Sequence, residues 1–297
     1  MKKKHLPLIA SLLLINSPAQ ADESLFGVLK GAETLPDGAV ELVQHLTRRS
    51  DKGQGTYEAL DSKTEIEYGI TNRLTGAVYV LGQSIKTEGL LIDGYIPKDE
   101  NYGMRPSGIE GSLKYNFLSP AKDDFGLAGY FSTSYSWLDP HSGQNKKKLT
   151  FETLLLAQKY FLDGELIWVG NLGLEATLAK RGSIAGLPED FEWSTKPEME
   201  IGFMGGTGLS YRVAPNWFVG GEIIYETEFE TEVGQERWSV FAGPTVHYGS
   251  KDWWATLSWM PQIKGGGFEG YVGQTDSSLH LIEKTKQELR LKIGINF

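Results

Sequence analysis

The chain is 297 residues long with a formal net charge of -9, no cysteine, 36 glycines, and thirteen Phe, thirteen Tyr and eight Trp. The missing cysteine excludes disulfides, thiolate chemistry and a lipid-modified N-terminal cysteine. The acidic balance argues against a nucleic-acid partner, which needs Lys and Arg to neutralise phosphates.

Residues 1–21 open with Lys2, Lys3 and Lys4, continue through an apolar run over 6–15, and exit at Ala19-Gln20-Ala21. This is the pattern of a secretory signal peptide cleaved before Asp22. Its apolar run is about half the ~20 residues of a spanning helix. Removing three lysines and no acids leaves a mature charge of -12.

Residues 22–38 read as a periplasmic lead-in that either tucks into a barrel mouth or simply leads to the first strand. The barrel itself is assigned to 39–297. A first, poorly patterned strand covers 40–47, followed by a polar loop over 48–62. Strand two, 64–70, alternates cleanly, with Ile66, Tyr68 and Ile70 opposed to Glu65, Glu67 and Gly69. A tight turn leads to a third strand ending near Gln83, and a long polar connection spans 84–107. Strands then fall at 109–117, 125–137, 149–161, 166–178, 198–211, 217–228, 238–248 and 253–261. The last is Glu288-Leu-Arg-Leu-Lys-Ile-Gly-Ile-Asn-Phe297, apolar at every second position and ending on an aromatic.

That makes twelve strands of about the length that crosses a bilayer at a tilt. Turns after strands two, four, six, eight and ten are mostly tight; those after one, three, five, seven and eleven are longer and polar, and only the one after strand nine is short for its class. An outer-membrane barrel has short periplasmic turns, longer outside loops and both termini in the periplasm. The fold class is therefore all-β, a transmembrane antiparallel up-and-down barrel.

Aromatics sort to the strand ends with the parity of the apolar face. Tyr68, Phe117, Trp168, Tyr211, Trp217, Tyr248, Trp253 and Phe297 form an inner girdle, and Trp137, Trp238 and Trp259 an outer one. The opposite faces point into the lumen. Glu65, Glu110, Glu152, Glu175, Glu198, Glu200, Glu226, Glu228 and Glu288 are placed toward the outer half, with Glu67 and Glu222 deeper and Lys114, Arg290 and Lys292 near mid-depth. An acidic vestibule of this kind favours cations. The competing reading pairs these glutamates with loop cations, Arg105, Lys146 to Lys148, Arg181 and Lys196, in a polar plug. Twelve strands give a backbone radius on the order of 12 Å, room for a small solute but no open bore.

No histidine pair has metal-ligand spacing, and no cofactor is expected. His141-Ser142 is the one candidate hydrolase pair, to be judged by whether a histidine or carboxylate reaches Ser142. Asp93, Asp99, Glu100 and Asn101 read as a solvated acidic loop before a cation site. Gly206-Thr-Gly208 lacks the third glycine of a dinucleotide motif and reads as relief of crowding inside a curved wall.

Asp22-Glu-Ser-Leu-Phe26, Thr64-Glu-Ile-Glu-Tyr-Gly-Ile-Thr-Asn-Arg73, Tyr115-Asn-Phe-Leu-Ser-Pro-Ala-Lys-Asp-Asp124 and the Phe297 ending resemble a little-characterised family of Gram-negative outer-membrane barrels. The mature chain is also similar in style to outer-membrane transporters of aromatic-compound degradation. The resemblance implies outer-membrane location, a lipid surround and delivery to a barrel-assembly machine through the terminal strand. A monomeric channel for a small cationic or neutral solute is expected, with a lipid-modifying hydrolase or a plugged structural barrel as alternatives.

Overall fold

The computed structural model describes residues 25–91, 98–187, 189, 191, 193–230, 234–267 and 273–297. The expected signal peptide, Asp22 and Asp93 lie outside them. Twelve strands run β1 (Val40–Ser50), β2 (Gln54–Thr71), β3 (Leu74–Leu91), β4 (Asn101–Leu118), β5 (Gly126–Leu138), β6 (Asn145–Phe161), β7 (Leu166–Arg181), β8 (Pro197–Ala214), β9 (Trp217–Glu230), β10 (Gly234–Gly249), β11 (Trp253–Gly267) and β12 (Gln287–Asn296). Each pairs antiparallel with its chain neighbours, and β12 closes on β1, with Glu41 opposite Asn296 and Ser50 opposite Gln287. Closure leaves no sheet edge, which a wall in lipid requires.

The outer wall is apolar where the alternation is cleanest. Ile66, Val78, Val80, Leu113, Leu155, Leu172, Leu209, Ile223, Leu257 and Ile293 all point out and are exposed. Aromatics cap this band in contact pairs: Tyr115 with Phe117, and Tyr248 with both Trp217 and Trp253, at the inner end. Phe203 meets Phe229, Tyr225 meets Trp238, and Tyr135 meets Trp137 toward the outer end.

The strands are longer than the alternation indicates, mostly at the outer end; β8 instead gains Arg212 to Ala214 at its inner end. Residues 48–62, expected as a loop, are strand apart from a three-residue turn at 51–53, where Asp51 and Gly53 take positive φ. Most of 84–107 likewise belongs to β3 and β4. Above the membrane the outward side chains meet water, as Thr56, Glu58, Lys86 and Glu88 do, so no apolar face marks the strand although the ladder continues. The connection after β1 is consequently short, against expectation. The longer outer connections are those after β3, β5, β7 and β11.

This lengthening also corrects the depths. Glu65 sits six residues from the inner end of the eighteen-residue β2, in the inner half with Glu67, because β2 starts ten residues earlier than its alternation does. Glu110 and Glu152 lie near mid-strand, while Glu198, Glu200, Glu228 and Glu288 stay at the outer ends.

Candidate functional site

Residues 25–35 run inside the barrel instead of beneath it. Leu25, Phe26 and Leu29 are fully buried against Ile167, Val169, Phe218, Ile224, Phe241 and Met260, all from the inner wall. Gly206 and Gly208 make this possible. A Cβ on Gly206 would meet Leu29 at 2.6 Å, and one on Gly208 would meet Phe26 at 2.6 Å. The crowding expected at this pair is thus crowding by the plug. Gly69 serves the exit, where a Cβ would collide with the Pro36 carbonyl and the Gly38 N–H donates to Gly69 O at 2.8 Å.

An extended segment inside a closed barrel has no strand to pair with, so wall side chains satisfy its backbone. Glu222 is the principal acceptor: Gly27 N–H donates to Oε1 at 2.7 Å, and Val28 and Leu29 N–H donate to Oε2 at 3.0 and 3.1 Å. Asn171 accepts from Lys30 N–H and donates to Lys30 O, both at 2.8 Å. Gln158 accepts from Ala32 N–H, Asn116 donates to Ala32 O, and Thr75 accepts from Leu35 N–H.

Sequence reasoning missed all of these except Glu222. The available signal was in β7, β9 and β11, where Ile167, Val169, Phe218, Ile224 and Met260 put apolar side chains on the lumen face as well as on the lipid face. Alternation predicts a wet lumen there, so apolar residues on both faces mean that something covers the inner one.

The outer mouth is closed by two connections. In 139–144, Pro140 O accepts from Arg49 Nη2 and from Tyr57 Oη, both at 2.7 Å. In 273–286, Ile282 packs with Tyr57, Ala59, Ile85 and Leu90. Gln262 holds the same stretch, donating to His280 O at 3.0 Å and Thr285 O at 3.1 Å and accepting from His280 N–H at 2.6 Å.

Most predicted lumen carboxylates have a cation or a hydrogen-bonding side chain against them. Glu65 meets His45 at 2.7 Å, Glu110 meets Lys63 at 2.8 Å, and Glu288 meets Arg290 at 2.6 Å. Lys146 lies 3.6 Å from Glu198 and 3.3 Å from Glu200, with Arg181 3.4 Å from Glu198. Glu228 and Glu283 share Arg237, and Glu226 pairs with Lys284. Glu67 and Lys114 line a small pocket on the inner side, beside Lys30 and Trp254. Of the loop cations considered for a plug, Lys146 and Arg181 take that role; Arg105 stacks on Tyr102 instead. Two carboxylate trios lie close together, Glu198 with Glu200 and Glu230, and Glu228 with Glu236 and Glu283. Lys146 and Arg181 answer the first trio and Arg237 the second, so both read as ion-pair networks.

Between the plug and the mouth lies a polar chamber of about 490 Å³. Lys30 and Gly27 of the plug form its floor and Pro140 its roof. Arg290 and Lys292 stand on one side, Glu152 and Glu175 on another, with Ser134, Ser136 and Thr150 between.

Ser142 has a carboxylate in reach, donating to Asp139 Oδ2 at 2.6 Å. The same oxygen accepts from Ser142 N–H at 3.1 Å, and Ser142 Oγ accepts from Gln144 N–H at 3.3 Å. This is a loop-closing turn with no base between the two groups. Ser142 is 0 % exposed, so no substrate reaches it. Asp99 accepts from Gly89 N–H, and Glu100 accepts from Gln144 and pairs with Lys98, which ties the acidic loop to its neighbours.

The mouth is acid-sensitive by construction. Burial drops the His280 imidazole to about 4, although Glu283 works the other way. Neutral Nε2 accepts from Glu283 N–H at 3.4 Å, a bond that protonation forbids. Burial alone would raise the Glu283 carboxyl, but Arg237 and His280 hold it down at about 2. Burial and Arg49 also push the Lys52 ammonium well below the lysine range, and burial and Lys52 lower His141. For His280 the undocked connection binds a proton from about pH 6.5 downward and the docked one only near 4. Docking is therefore at full strength above 6.5 and weakens as pH falls to 4, by roughly 3 kcal/mol at most. Glu283 adds a loss from 4.5 downward, in the same direction. We expect the amides of 279–286, corrected for intrinsic rates, to lose hydrogen-exchange protection between pH 6.5 and 4, and His280→Phe to flatten that window. Unchanged protection down to pH 4 in the wild type would contradict the assignment.

A closed twelve-strand antiparallel barrel with an apolar outer band and girdled ends defines a transmembrane barrel of the outer-membrane type. The chain belongs to the family of unknown function DUF6662, whose model matches residues 18–297. No curated protein matches it. Among solved structures it is similar to an outer membrane channel from Pseudomonas putida F1, at 15% identity and a TM-score of 0.55, covering 90% of this chain and 98% of that one. It is also similar to the β domain of the Bordetella autotransporter BrkA, at 10% identity, 88% and 100% coverage and a TM-score of 0.53. The translocator domain of the autotransporter NalP from Neisseria meningitidis follows at 12% identity, 89% and 90% coverage and a TM-score of 0.50. Identities this low carry the fold alone.

Proposed function

We propose that the barrel is a channel or transporter for small solutes in the bacterial outer membrane, closed at rest by residues 25–35. The observation that carries this is the polar chamber enclosed between plug and mouth. A purely structural barrel needs no such space, and apolar filling would be more stable than retained charge. Likeness to the Pseudomonas channel supports the reading. The plug favours a gated pathway over a standing pore, because its contacts are mostly single wall side chains that can let go together.

The expectation of a cationic or neutral solute now rests chiefly on Glu152 and Glu175, which line the chamber and form no ion pair among the described residues. A signal peptide at 1–21, a lipid surround and a monomeric barrel complete the proposal. The terminal strand is the proposed assembly signal; Phe297 is 77% exposed, and its N–H donates to Val40 O at 3.0 Å. Deleting Phe297 should reduce folded barrel in the outer membrane several-fold, and wild-type levels would sink that role. For the function itself, planar-bilayer recordings should show brief, small openings of the intact chain. A chain whose intact and plug-deleted forms both fold and both stay silent is no channel.

A further inference from the structure

Strand register sets the lumen side chains of β5, β6 and β7 in a grid. One row holds Ser132, Glu152 and Glu175, side by side on the three strands, and the next holds Ser134, Thr150 and Thr177. Nearest the mouth, Ser136 stands beside Lys148, and Ala179 completes the row. All but Ala179 are polar. Ser134, Ser136, Lys148, Thr150, Glu152 and Glu175 line the chamber, while Ser132 and Thr177 are buried beside the two carboxylates. Rows on one face are about 6.7 Å apart and strands about 4.8 Å, so a solute the size of one sugar ring touches neighbouring rows and strands at once.

The charges in and around this grid are mixed. Glu152 and Glu175 form no ion pair among the described residues and receive hydroxyls, from Ser132 at 3.4 Å and Thr177 at 3.2 Å. Lys148 shares the lumen face of β6 with Glu152, and the Lys30 ammonium of the plug acts on Glu152 from the floor. On the other flank Glu110 of β4 stands opposite Ser134 and pairs with Lys63. Among the described residues the whole chamber lining carries five Lys or Arg and four Asp or Glu side chains, so neither sign has a wall to itself.

A charged solute of either sign therefore meets its own sign close by and loses there what it gains from the opposite one. A neutral solute made of hydroxyls avoids that conflict. Each hydroxyl gives one proton and accepts up to two. It can donate to Glu152 or Glu175, whose paired oxygens suit two hydroxyls on neighbouring carbons, and accept from Lys148. Ser134 and Ser136 make no hydrogen bond among the described residues, which leaves both hydroxyls turned to the chamber. Water on such a grid is displaced without loss only by a solute that reproduces its hydrogen bonds, which apolar solutes do not.

We infer that the β5–β7 wall of the chamber binds a neutral polyhydroxylated solute, a free monosaccharide or sugar alcohol. At about 490 Å³ the chamber lies within the size range of small-molecule sites, roughly 300–1,000 Å³. The site rests on the transport reading for how its ligand arrives and narrows the solute to the neutral class; binding is measurable without transport.

Calorimetry on the full chain, in a detergent without a sugar headgroup, compares glucose with glucosamine in its ammonium form, glucuronate as the anion, and dioxane, a neutral ring without hydroxyls. Glucose should bind about ten-fold more tightly than each of the others. Ser134→Ala combined with Ser136→Ala should lower glucose affinity about ten-fold. Glu152→Gln combined with Glu175→Gln should turn the preference toward glucuronate. Unboiled gel migration reports whether each variant is folded, and the wild-type comparison stands without them. A charged sugar or dioxane binding as tightly as glucose, unchanged glucose affinity in the folded serine double variant, or no measurable binding of glucose overturns the inference. Liposome swelling in glucose is run beside it. Swelling without the binding preference sinks the sugar site and leaves the channel standing; the preference without swelling keeps the site and sinks the channel.

Discussion

Deleting residues 25–35 should raise single-channel conductance at least ten-fold over the intact chain. The segment fills the inner half of the lumen, and removing it joins the chamber to the periplasmic mouth. Its hold comes from two sources. Burying Leu25, Phe26 and Leu29 contributes roughly 1.5–3 kcal/mol each. Their wall partners would be wetted in the deletion, so the variant should also be less stable, and its folding must be confirmed by gel mobility before conductance is compared. Glu222→Gln is the gentler companion. It keeps one oxygen for the three plug amides and turns an NH₂ toward the others, which should cost on the order of 2–3 kcal/mol. At about 1.4 kcal/mol per factor of ten, the open fraction should rise some 30–100-fold, seen as longer or more frequent openings. Folded variants that conduct like the intact chain would show that the plug is no gate.

The plug was only half legible, and the reason is physical. Period-2 alternation reports the difference between two environments, lipid outside and water inside. Where it held, as in 64–70 and 289–297, strand, face and parity followed directly. The signal vanished wherever both sides became alike. At 48–62 both sides are wet, so a strand looked like a loop. At Ile167, Val169 and Ile224 both sides are apolar, so the covering segment went unread. Side-chain identity could tell that Glu222 points inward but not that it would meet backbone amides from residues 27–29, nearly two hundred positions away. The pairing of Lys146 and Arg181 with Glu198 and Glu200 was legible only as an alternative, because it depends on how the outer strand ends curl. Gly206 and Gly208 were closer to a real clue. Two lumen-facing glycines in one strand mark a place where something approaches, and Leu29 and Phe26 are what approach.

Leu172→Arg should destabilise the barrel by roughly 2–4 kcal/mol in lipid, the cost of an arginine on the lipid face near the midplane. Leu172 is 65% exposed on the outer face of β7, six residues from its inner end. At a tilted rise of about 2.5 Å per residue, that lies close to half the thickness of a ~30 Å hydrocarbon core. In water an exposed leucine replaced by arginine is nearly neutral, within about 0.5 kcal/mol. The same substitution therefore separates the two solvents. Glu88→Arg is the matched control, since Glu88 points outward on β3 beyond the apolar band and should change stability little. Reversible urea unfolding in lipid vesicles reads both. A loss at Leu172 with none at Glu88 places the midplane at the level of Leu172, hence the plug on one side of it and the chamber on the other. Small, equal effects at the two sites would mean that the apolar band does not face lipid, and the gating and transport readings built on that orientation would fall with it.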